Sequence, residues 1–496
     1  MASAEHIRRD LAAVVDPSRL VTGDTAVNRV RRDTWVMSVW RGLGDRLPPP
    51  PACVVRPETT EEVAAVLAYA ARARVPVVPF GAGSGVCGAI LPDGDTIVVD
   101  LGAMHALVGI DDQALLATAQ AGLLGSEFEE ALNRAGYTMG HFPQSIALSS
   151  VGGWVATRSA GQFSTKYGNI EELFVAFEAV LPSGTVIRTR PTPRASTGPD
   201  LRHLFLGAEG TTGILTELTF QIRPLPEARE RHGFAFPSMR VGLEALRQTM
   251  RAGWRPAVLR LYDEIEAGRT FAGSVGESES LLLVLTEGPA ALVAAELAGV
   301  SAICRTLGAR AVGPEPVDSW MRHRNAVPGF ESFLTKGMIV DTIEVATTWP
   351  RIAELYDGVL AAMRAVPGLV VASGHSSHSY LSGTNIYFTF AGRPERSEDM
   401  EALYFGVWDA AMRATLAAGG TISHHHGIGR VRRDWLAREL GSAYPLVAAL
   451  KRALDPLGIM NPGVLLPAGP GSGPDARSSA GPDPDRPGTP SGDERT

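Results

Sequence analysis

The chain has 496 residues, 45% hydrophobic and 20% charged, with a formal net charge of −7. That composition belongs to a globular protein with a large core and more than one domain, and the negative balance excludes nonspecific nucleic-acid binding, which needs a basic surface to displace counterions. The cysteines Cys53, Cys87 and Cys304 are too few and too scattered for a disulfide framework or a zinc pattern, and Met1 to Asp16 has no apolar export segment, so the expected location is cytoplasmic with no transmembrane segment.

In chain order, residues 1–48 read as a helical leader, and Pro48-Pro49-Pro50-Pro51 begins the next unit in a stiff extended form. Glu61 to Arg74 places Val63, Val66, Leu67 and Ala70 on one helical face, and Val75 to Phe80 follows as a buried strand. Strands are expected at Thr96 to Asp100 and Leu115 to Ala121, and a hairpin joins Phe174 to Leu181 with Thr185 to Thr189 through Pro182-Ser183-Gly184. After Pro226 come strands near Val258 to Tyr262, Leu281 to Leu285, Leu369 to Ala372 and Asn385 to Phe390. Amphipathic helices at Ala290 to Leu307 and Arg351 to Val366 lie between them. The fold class is α+β. The units are the leader, 1–48, a first domain, 49–226, and a second with a C-terminal return to the first, 227–466. A Pro- and Gly-rich tail, 467–496, is expected to be disordered.

Gly83-Ser84-Gly85-Val86-Cys87-Gly88 satisfies GxGxxG after a strand, but a Rossmann unit needs a helix to begin there, and Leu91-Pro92-Asp93-Gly94-Asp95 is a turn. The longer stretch Pro79-Phe80-Gly81-Ala82-Gly83-Ser84-Gly85 reads either as a tight turn or as a nest of backbone N–H groups that a pyrophosphate can approach where Cβ atoms are absent. A second stretch, His141-Phe142-Pro143-Gln144-Ser145 and then Ser149 to Gly161, packs hydroxyls and small residues densely enough to lie against a planar cofactor. Two such loops in one α+β domain imply a dinucleotide.

The densest chemistry lies in Thr421 to Arg430, where His424, His425 and His426 stand between an expected strand and a glycine turn. Imidazoles titrate near neutrality, so such a cluster can orient anions, move protons or bind metal. An internal tag and a solvated loop are the plainer readings. No metal site is expected, because neighbouring side chains diverge and no Cys or HExxH pattern accompanies them. The reading adopted is a catalytic loop.

In this order the pieces resemble the flavoprotein superfamily of vanillyl-alcohol oxidase (PCMH) type, and within it the alkylglycerone-phosphate synthases. The matching pieces are Pro79 to Gly85, Ser149 to Gly161, Tyr167 to Leu173, Ser196 to Asp200, Gly207 to Gly213, Ile386-Tyr387-Phe388 and the triple-His run. The resemblance implies a two-subdomain FAD-binding domain of PCMH type plus an α+β cap (substrate) domain, and a homodimer. It places the pyrophosphate on Gly81, Ala82, Gly83, Ser84 and Gly85, flanked by Pro79 and Phe80. Gln144, Ser145, Ser150, Gly153, Thr157, Ser159, Glu209, Gly213 and Ile214 line the rest of FAD in the same reading. Covalently flavinylated relatives carry a His in the first glycine loop; Gly83 stands there in this chain, so FAD is expected to be noncovalent.

In the synthase family, flavin N5 attacks the carbon bearing an acyloxy group, the fatty acid leaves and a fatty alcohol replaces it, exchanging an ester for an ether. Tyr387 matches the family's proton-transferring tyrosine, a role its phenol suits if neighbouring cations lower its pKa; on its own residues it reads equally as a core aromatic on an apolar strand. His424, His425 and His426 match the imidazoles around the reacting carbon. His141 and Arg260 match positions associated with activity, against the alternatives of a satisfied loop histidine and a surface arginine. The family's phosphate-binding Arg falls on Phe330, which carries no charge, leaving Arg322, Arg324 and Lys336 as nearby cations. The expectation is an FAD enzyme of synthase type, acting on an acyl dihydroxyacetone phosphate or an analogue. The alternative is an FAD-dependent oxidoreductase of a small 2-hydroxy acid or alcohol with His425 or His426 as base, and a third reading is a flavin-binding module without catalysis. The apolar stretches of the cap read as a lipid tunnel or as packed core, and peripheral membrane contact stays open.

Overall fold

The computed structural model describes residues 3–21, 23–327 and 329–467; the tail expected to be disordered lies, beyond Pro467, outside the described residues. The Thr59 hydroxyl accepts from the Glu62 N–H at 3.2 Å and opens the helix Thr60–Ala73, Glu61 and Glu62 sit at its positive end, and Arg74 stops it in the left-handed region at φ 53°. The helix buries Val63, Val66, Leu67 and Ala70 and leads into the strand Val77–Phe80. That strand runs parallel to Ile97–Asp100, which runs parallel to Cys53–Val55, and Leu20–Val21 lies antiparallel at the far edge. Parallel strands covered on both faces are apolar throughout, and here Val54 and Val98 enter one core while Val55, Ile97 and Val99 enter another. The C-terminal segment closes the other edge, the Val77 N–H donating to the Ile459 carbonyl and the Asn461 N–H to the Val77 carbonyl, each at 2.8 Å.

A second, antiparallel sheet orders Leu107–Asp111, Leu116–Gln120, Ile214–Gln221, Phe174–Val180 and Val186–Arg188. The expected hairpin is there, closed by the Leu181 N–H on the Thr185 carbonyl at 2.9 Å. The short helix Val151–Thr157 packs on this sheet. The cap is a seven-stranded antiparallel sheet in the order Arg310–Gly313, Ala228–Phe236, Ser280–Gly288, Val258–Tyr262, Leu369–Ser376, Gly383–Gly392 and Ile339–Thr348. Its core includes side chains from the helices Met239–Arg251, Ala290–Thr306, Trp349–Arg364 and Met400–Ala417.

The expected helical leader is more than helical and belongs to both halves. It holds the helices Ala4–Leu11, Asp24–Arg29 and Val36–Leu43 and the edge strand Leu20–Val21, with Ile7 and Leu11 in the first core and Trp35 to Met37 in the cap core. Trp35 Nε1 donates to the Tyr404 hydroxyl at 2.7 Å, which ties the leader to the cap. The edge strand Ile339–Thr348 was not legible, because Asp341 and Glu344 interrupt its apolar pattern; both are buried. In the register, Glu344 stands opposite Tyr387, and Tyr387 opposite His375. Among the described residues no helix is long and apolar enough to cross a membrane.

Candidate functional site

The histidine loop hangs from the edge strand by the Thr421 N–H, which donates to the Ala346 carbonyl at 2.8 Å. Beneath it, Glu344 Oε1 accepts from Ser423 Oγ at 3.1 Å and from the N–H groups of His425 and His426 at 3.3 and 2.9 Å. Glu344 Oε2 pairs with Arg432, both side chains being fully buried, and lies 2.9 Å from His426 Nδ1 without hydrogen-bond alignment. Burial alone would raise the Glu344 carboxyl, but Arg432 foremost, then His426, hold it well below its usual range. The other end of the loop is tied to the first domain. Glu209 accepts from the N–H groups of Ile428 at 2.7 Å and Gly429 at 2.9 Å, and the Arg430 N–H donates to the Cys87 carbonyl at 2.8 Å. Gly429, at φ +53°, has no room for a side chain, since a Cβ there would stand 2.1 Å from the Cys87 oxygen.

Adjacent imidazoles were expected to diverge, and they do not: Nδ1 of His424 and Nδ1 of His425 are 2.8 Å apart. His424 Nε2 meets the Tyr380 hydroxyl at 2.7 Å, and Asn169 Nδ2 donates to the same hydroxyl at 2.9 Å. His378 stacks on His424 with centroids 4.9 Å apart, its Nδ1 held by Ser164 Oγ at 2.6 Å. Burial lowers His424 to about 4 and lowers His425 and His378 well below their usual value, so the rings are neutral at neutral pH. Nitrogens of His378, His424 and His425 lie within 4.8 Å of one another, a grouping that could hold a metal ion and that the sequence pattern did not suggest. The two Nδ1 atoms lie within hydrogen-bond distance, with one ring donating and the other accepting.

Tyr387 stacks on His375 at 4.9 Å and faces His425 at 5.9 Å, and its hydroxyl accepts from Thr342 Oγ1 at 3.0 Å. The condition of a lowered pKa is not met: burial foremost, with Glu344 and Asp341, raises the phenol, and the Thr342 hydrogen bond and Arg260 only partly offset this. Arg260 is no plain surface residue. Its Nε donates to the Tyr262 hydroxyl and its Nη2 to His375 Nε2, both at 2.6 Å, while His375 Nδ1 faces Glu266 at 2.7 Å. A guanidinium only donates, so His375 accepts on Nε2 and is neutral, with its proton toward Glu266. Arg260 and Arg324 both approach the Trp320 ring, at 5.8 and 5.9 Å, and Arg324 also lies 5.0 Å from the Phe142 and Phe163 rings. Burial lowers Arg324 to about 10, and among the described residues neither guanidinium has a carboxylate within ion-pairing distance. Arg322 and Lys336 are exposed.

The cofactor loops also meet. Pro79 and Phe80 end the first-sheet strand, and Gly81 to Gly85 follow as a half-buried bend in which Gly83 has φ +76°. A Cβ on Gly81 would stand 2.4 Å from Ser150 Oγ, the group that caps Val151–Thr157 by accepting from the Gly153 N–H at 3.2 Å. Thr34 holds the Ser84 and Gly85 carbonyls at 3.2 and 2.9 Å, and Ala82 carries the bend between Gly81 and Gly83. Ser159 Oγ meets His141 Nε2 at 3.0 Å, while His141 Nδ1 is buried without a partner. A bend without side chains at Gly81, Gly83 and Gly85, and in the second stretch a buried imidazole nitrogen without a partner among the described residues, fit a large polar cofactor. Other expected lining residues are engaged elsewhere. Thr157 Oγ1 bonds the Gly153 carbonyl of its own helix at 2.9 Å, Gln144 Nε2 bonds the Ala326 carbonyl at 2.7 Å, and the Ser145 carbonyl accepts from Ser149 Oγ at 2.9 Å. Gly213 is pressed against the Val180 carbonyl, and Ile214 is buried in the second sheet. Sequence reasoning missed His375, His378, Tyr380, Glu266, Glu344 and Arg432. The run His375-Ser376-Ser377-His378-Ser379-Tyr380 was the available signal, whereas Glu344 joins the site only through strand register.

A family model described as FAD binding domain matches residues 51–190, and one described as FAD linked oxidases, C-terminal domain, matches residues 225–465. The chain is 34% identical over 479 residues to the uncharacterized FAD-linked oxidoreductase YgcU of Escherichia coli (strain K12), covering 92% of this chain and 97% of that protein. It is 32% identical over 474 residues to the alkyldihydroxyacetonephosphate synthase of Trypanosoma brucei brucei, covering 88% of this chain and 76% of the relative. A solved alkyldihydroxyacetonephosphate synthase matches with a TM-score of 0.78 at 26% identity, over 92% of this chain and 84% of that one. The matches run through both the glycine-loop domain and the cap with its histidine loop, and the chain belongs to the FAD-linked oxidase family as a PCMH-type flavoenzyme with FAD as its cofactor.

Proposed function

We propose that this flavoenzyme exchanges an ester for an ether on an acyl dihydroxyacetone phosphate or a close analogue. One observation carries the reading: neutral imidazoles and a protonated Tyr387 adjoin, through His375, the guanidinium of Arg260, with Arg324 across Trp320 and neither cation matched by a carboxylate among the described residues. The likeness to the synthases supports it. Residues 49–226 hold FAD, without a covalent bond since Gly83 offers no side chain, and residues 227–466 supply the substrate contacts. When bound, FAD would supply a nucleophilic nitrogen on its flavin ring next to the reacting carbon.

Arg324 and Arg260 bind the phosphate in place of the charge that Phe330 lacks. Tyr387 keeps its proton and donates a hydrogen bond to the ketone oxygen rather than acting as a base. Neutral His425 takes the hydroxyl proton of the incoming fatty alcohol. The carbon's bond to the alcohol oxygen forms, its bond to the acyl oxygen breaks and the fatty acid leaves as carboxylate, so the exchange is redox-neutral. A second reading draws on the likeness to the FAD-linked oxidoreductase: the same imidazole takes the hydroxyl proton of a 2-hydroxy acid whose carboxylate sits on the arginines. Anaerobic flavin spectra separate the two. Bleaching by the acyl phosphate that reverses on adding fatty alcohol supports the exchange, and lasting bleaching by a hydroxy acid, reversed by oxygen or an artificial acceptor, supports the oxidation. Acid precipitation checks the cofactor linkage, since noncovalent flavin stays in the supernatant.

A further inference from the structure

We propose that His424 and Tyr380 form a relay that carries the proton taken by His425 out of the site to a polar cavity behind the histidine loop. The inference rests on the reading above in one respect only, that His425 accepts a hydroxyl proton, which the exchange and the oxidation both require. Two hydrogen bonds lie end to end: His425 Nδ1 to His424 Nδ1 at 2.8 Å, and His424 Nε2 to the Tyr380 hydroxyl at 2.7 Å. Asn169 Nδ2 donates to that hydroxyl at 2.9 Å, and an amide nitrogen can only donate. With Asn169 and His424 Nε2–H both donating, the hydroxyl oxygen accepts twice and its own hydrogen points onward.

A cavity of about 610 Å³ also has Tyr380 in its lining, together with Thr347, Thr348, Thr384, Thr421 and the carboxylate-bearing Glu439. It has room for several waters, each occupying about 30 Å³, and hydroxyls to hold them. Tyr380 therefore touches both the imidazole cluster and this cavity. The cluster needs such an exit. An imidazolium at His425 would sit beside His424, His426 and His378, where burial already disfavours charge.

The proton count closes. The substrate O–H bond breaks and a His425 Nε2–H bond forms; the Nδ1 proton of His425 passes to His424 Nδ1; the Nε2 proton of His424 passes to the Tyr380 oxygen; and the Tyr380 proton passes to water in the cavity. One proton enters, one leaves and no side chain ends charged, but both imidazoles end in the opposite tautomer and must return to the starting one before the next turnover. The resting enzyme must accordingly hold His425 as the Nδ1–H tautomer and His424 as the Nε2–H tautomer.

Two measurements on the full-length, FAD-loaded enzyme test this. Histidine ¹⁵N NMR spectra, assigned with His424→Gln and His425→Gln, should show those two tautomers; the opposite pair would overturn the relay whether or not any substrate is turned over. Tyr380→Phe keeps the ring and removes the hydroxyl. Its kcat should fall on the order of tenfold or more at unchanged KM, recovering in proportion to added imidazole buffer. An unchanged kcat, or a loss that buffer does not restore, overturns the proposal. If the Phe variant misfolds, the tautomers of the unaltered enzyme decide. If neither the acyl phosphate nor a hydroxy acid reacts with the wild type, the proposed function fails while the tautomers still judge the relay.

Discussion

Glu344 shows how much one side chain can organise. Its two oxygens hold Ser423, two backbone N–H groups of the histidine loop and the fully buried Arg432. Glu344→Gln keeps the shape and removes the charge, leaving the buried Arg432 uncompensated. The expected loss is about 3–5 kcal/mol, read by chemical denaturation, since breaking one partner of a buried pair exposes the other to an unrelieved desolvation penalty. Tyr387 makes the complementary point. Its phenol stays protonated, so Tyr387→Phe should lower kcat by about 10²-fold while the flavin spectrum is retained, and an unchanged rate would remove Tyr387 from the chemistry. Arg324→Gln should raise KM for an anionic substrate roughly tenfold or more with little change in kcat, the equivalent of about 1.5–3 kcal/mol for a charge-assisted hydrogen bond.

At the scale of elements, the histidine loop is a bridge rather than an appendage of the cap. One end pairs with the edge strand at Ala346, and the other is held by Glu209 and by the Cys87 carbonyl, both contributed by the first domain. Gly429 is what permits the second attachment. Gly429→Ala forces a Cβ into the Cys87 carbonyl at a left-handed φ, and should destabilise by more than ~1 kcal/mol and abolish turnover. Because the glycine cradle does not touch that Cβ, FAD retention measured by absorbance should persist. Loss of FAD with intact activity in the reconstituted variant would contradict this division.

For the molecule as a whole, the buried imidazoles set an acid limit. His141 is lowered by burial from 6.5 to about 3 and His424 to about 4, so over this range the unfolded chain binds protons that the fold refuses. Their contribution is fully present above pH 6.5 and declines as pH falls toward 3. Buried Asp33 and Glu209, both raised by burial to about 7, work in the opposite sense: their contribution is present at acid pH and is lost as pH rises toward 7. Melting temperatures of wild type and His141→Gln between pH 7 and 4 isolate one term. The variant should lose less on acidification, and parallel curves would show that folding does not lower the His141 pKa.

The sequence by itself determined the elements whose burial is periodic and the loops whose composition is extreme. Val63, Val66, Leu67 and Ala70 announce a helix, Phe174 to Thr189 a hairpin, and the glycine stretch and His424 to His426 a site, because each follows from local sterics and patterning. Tertiary structure alone decided the rest. Glu344 comes under the loop only because Ile339–Thr348 pairs in one register with Gly383–Gly392, and His378 reaches His424 only because two distant segments fold together. The direction of the Tyr387 shift was decided there too. Desolvation depends on everything packed around a group, and the groups around that phenol, from Thr342 and Glu344 to His375 and His425, are far apart in the chain.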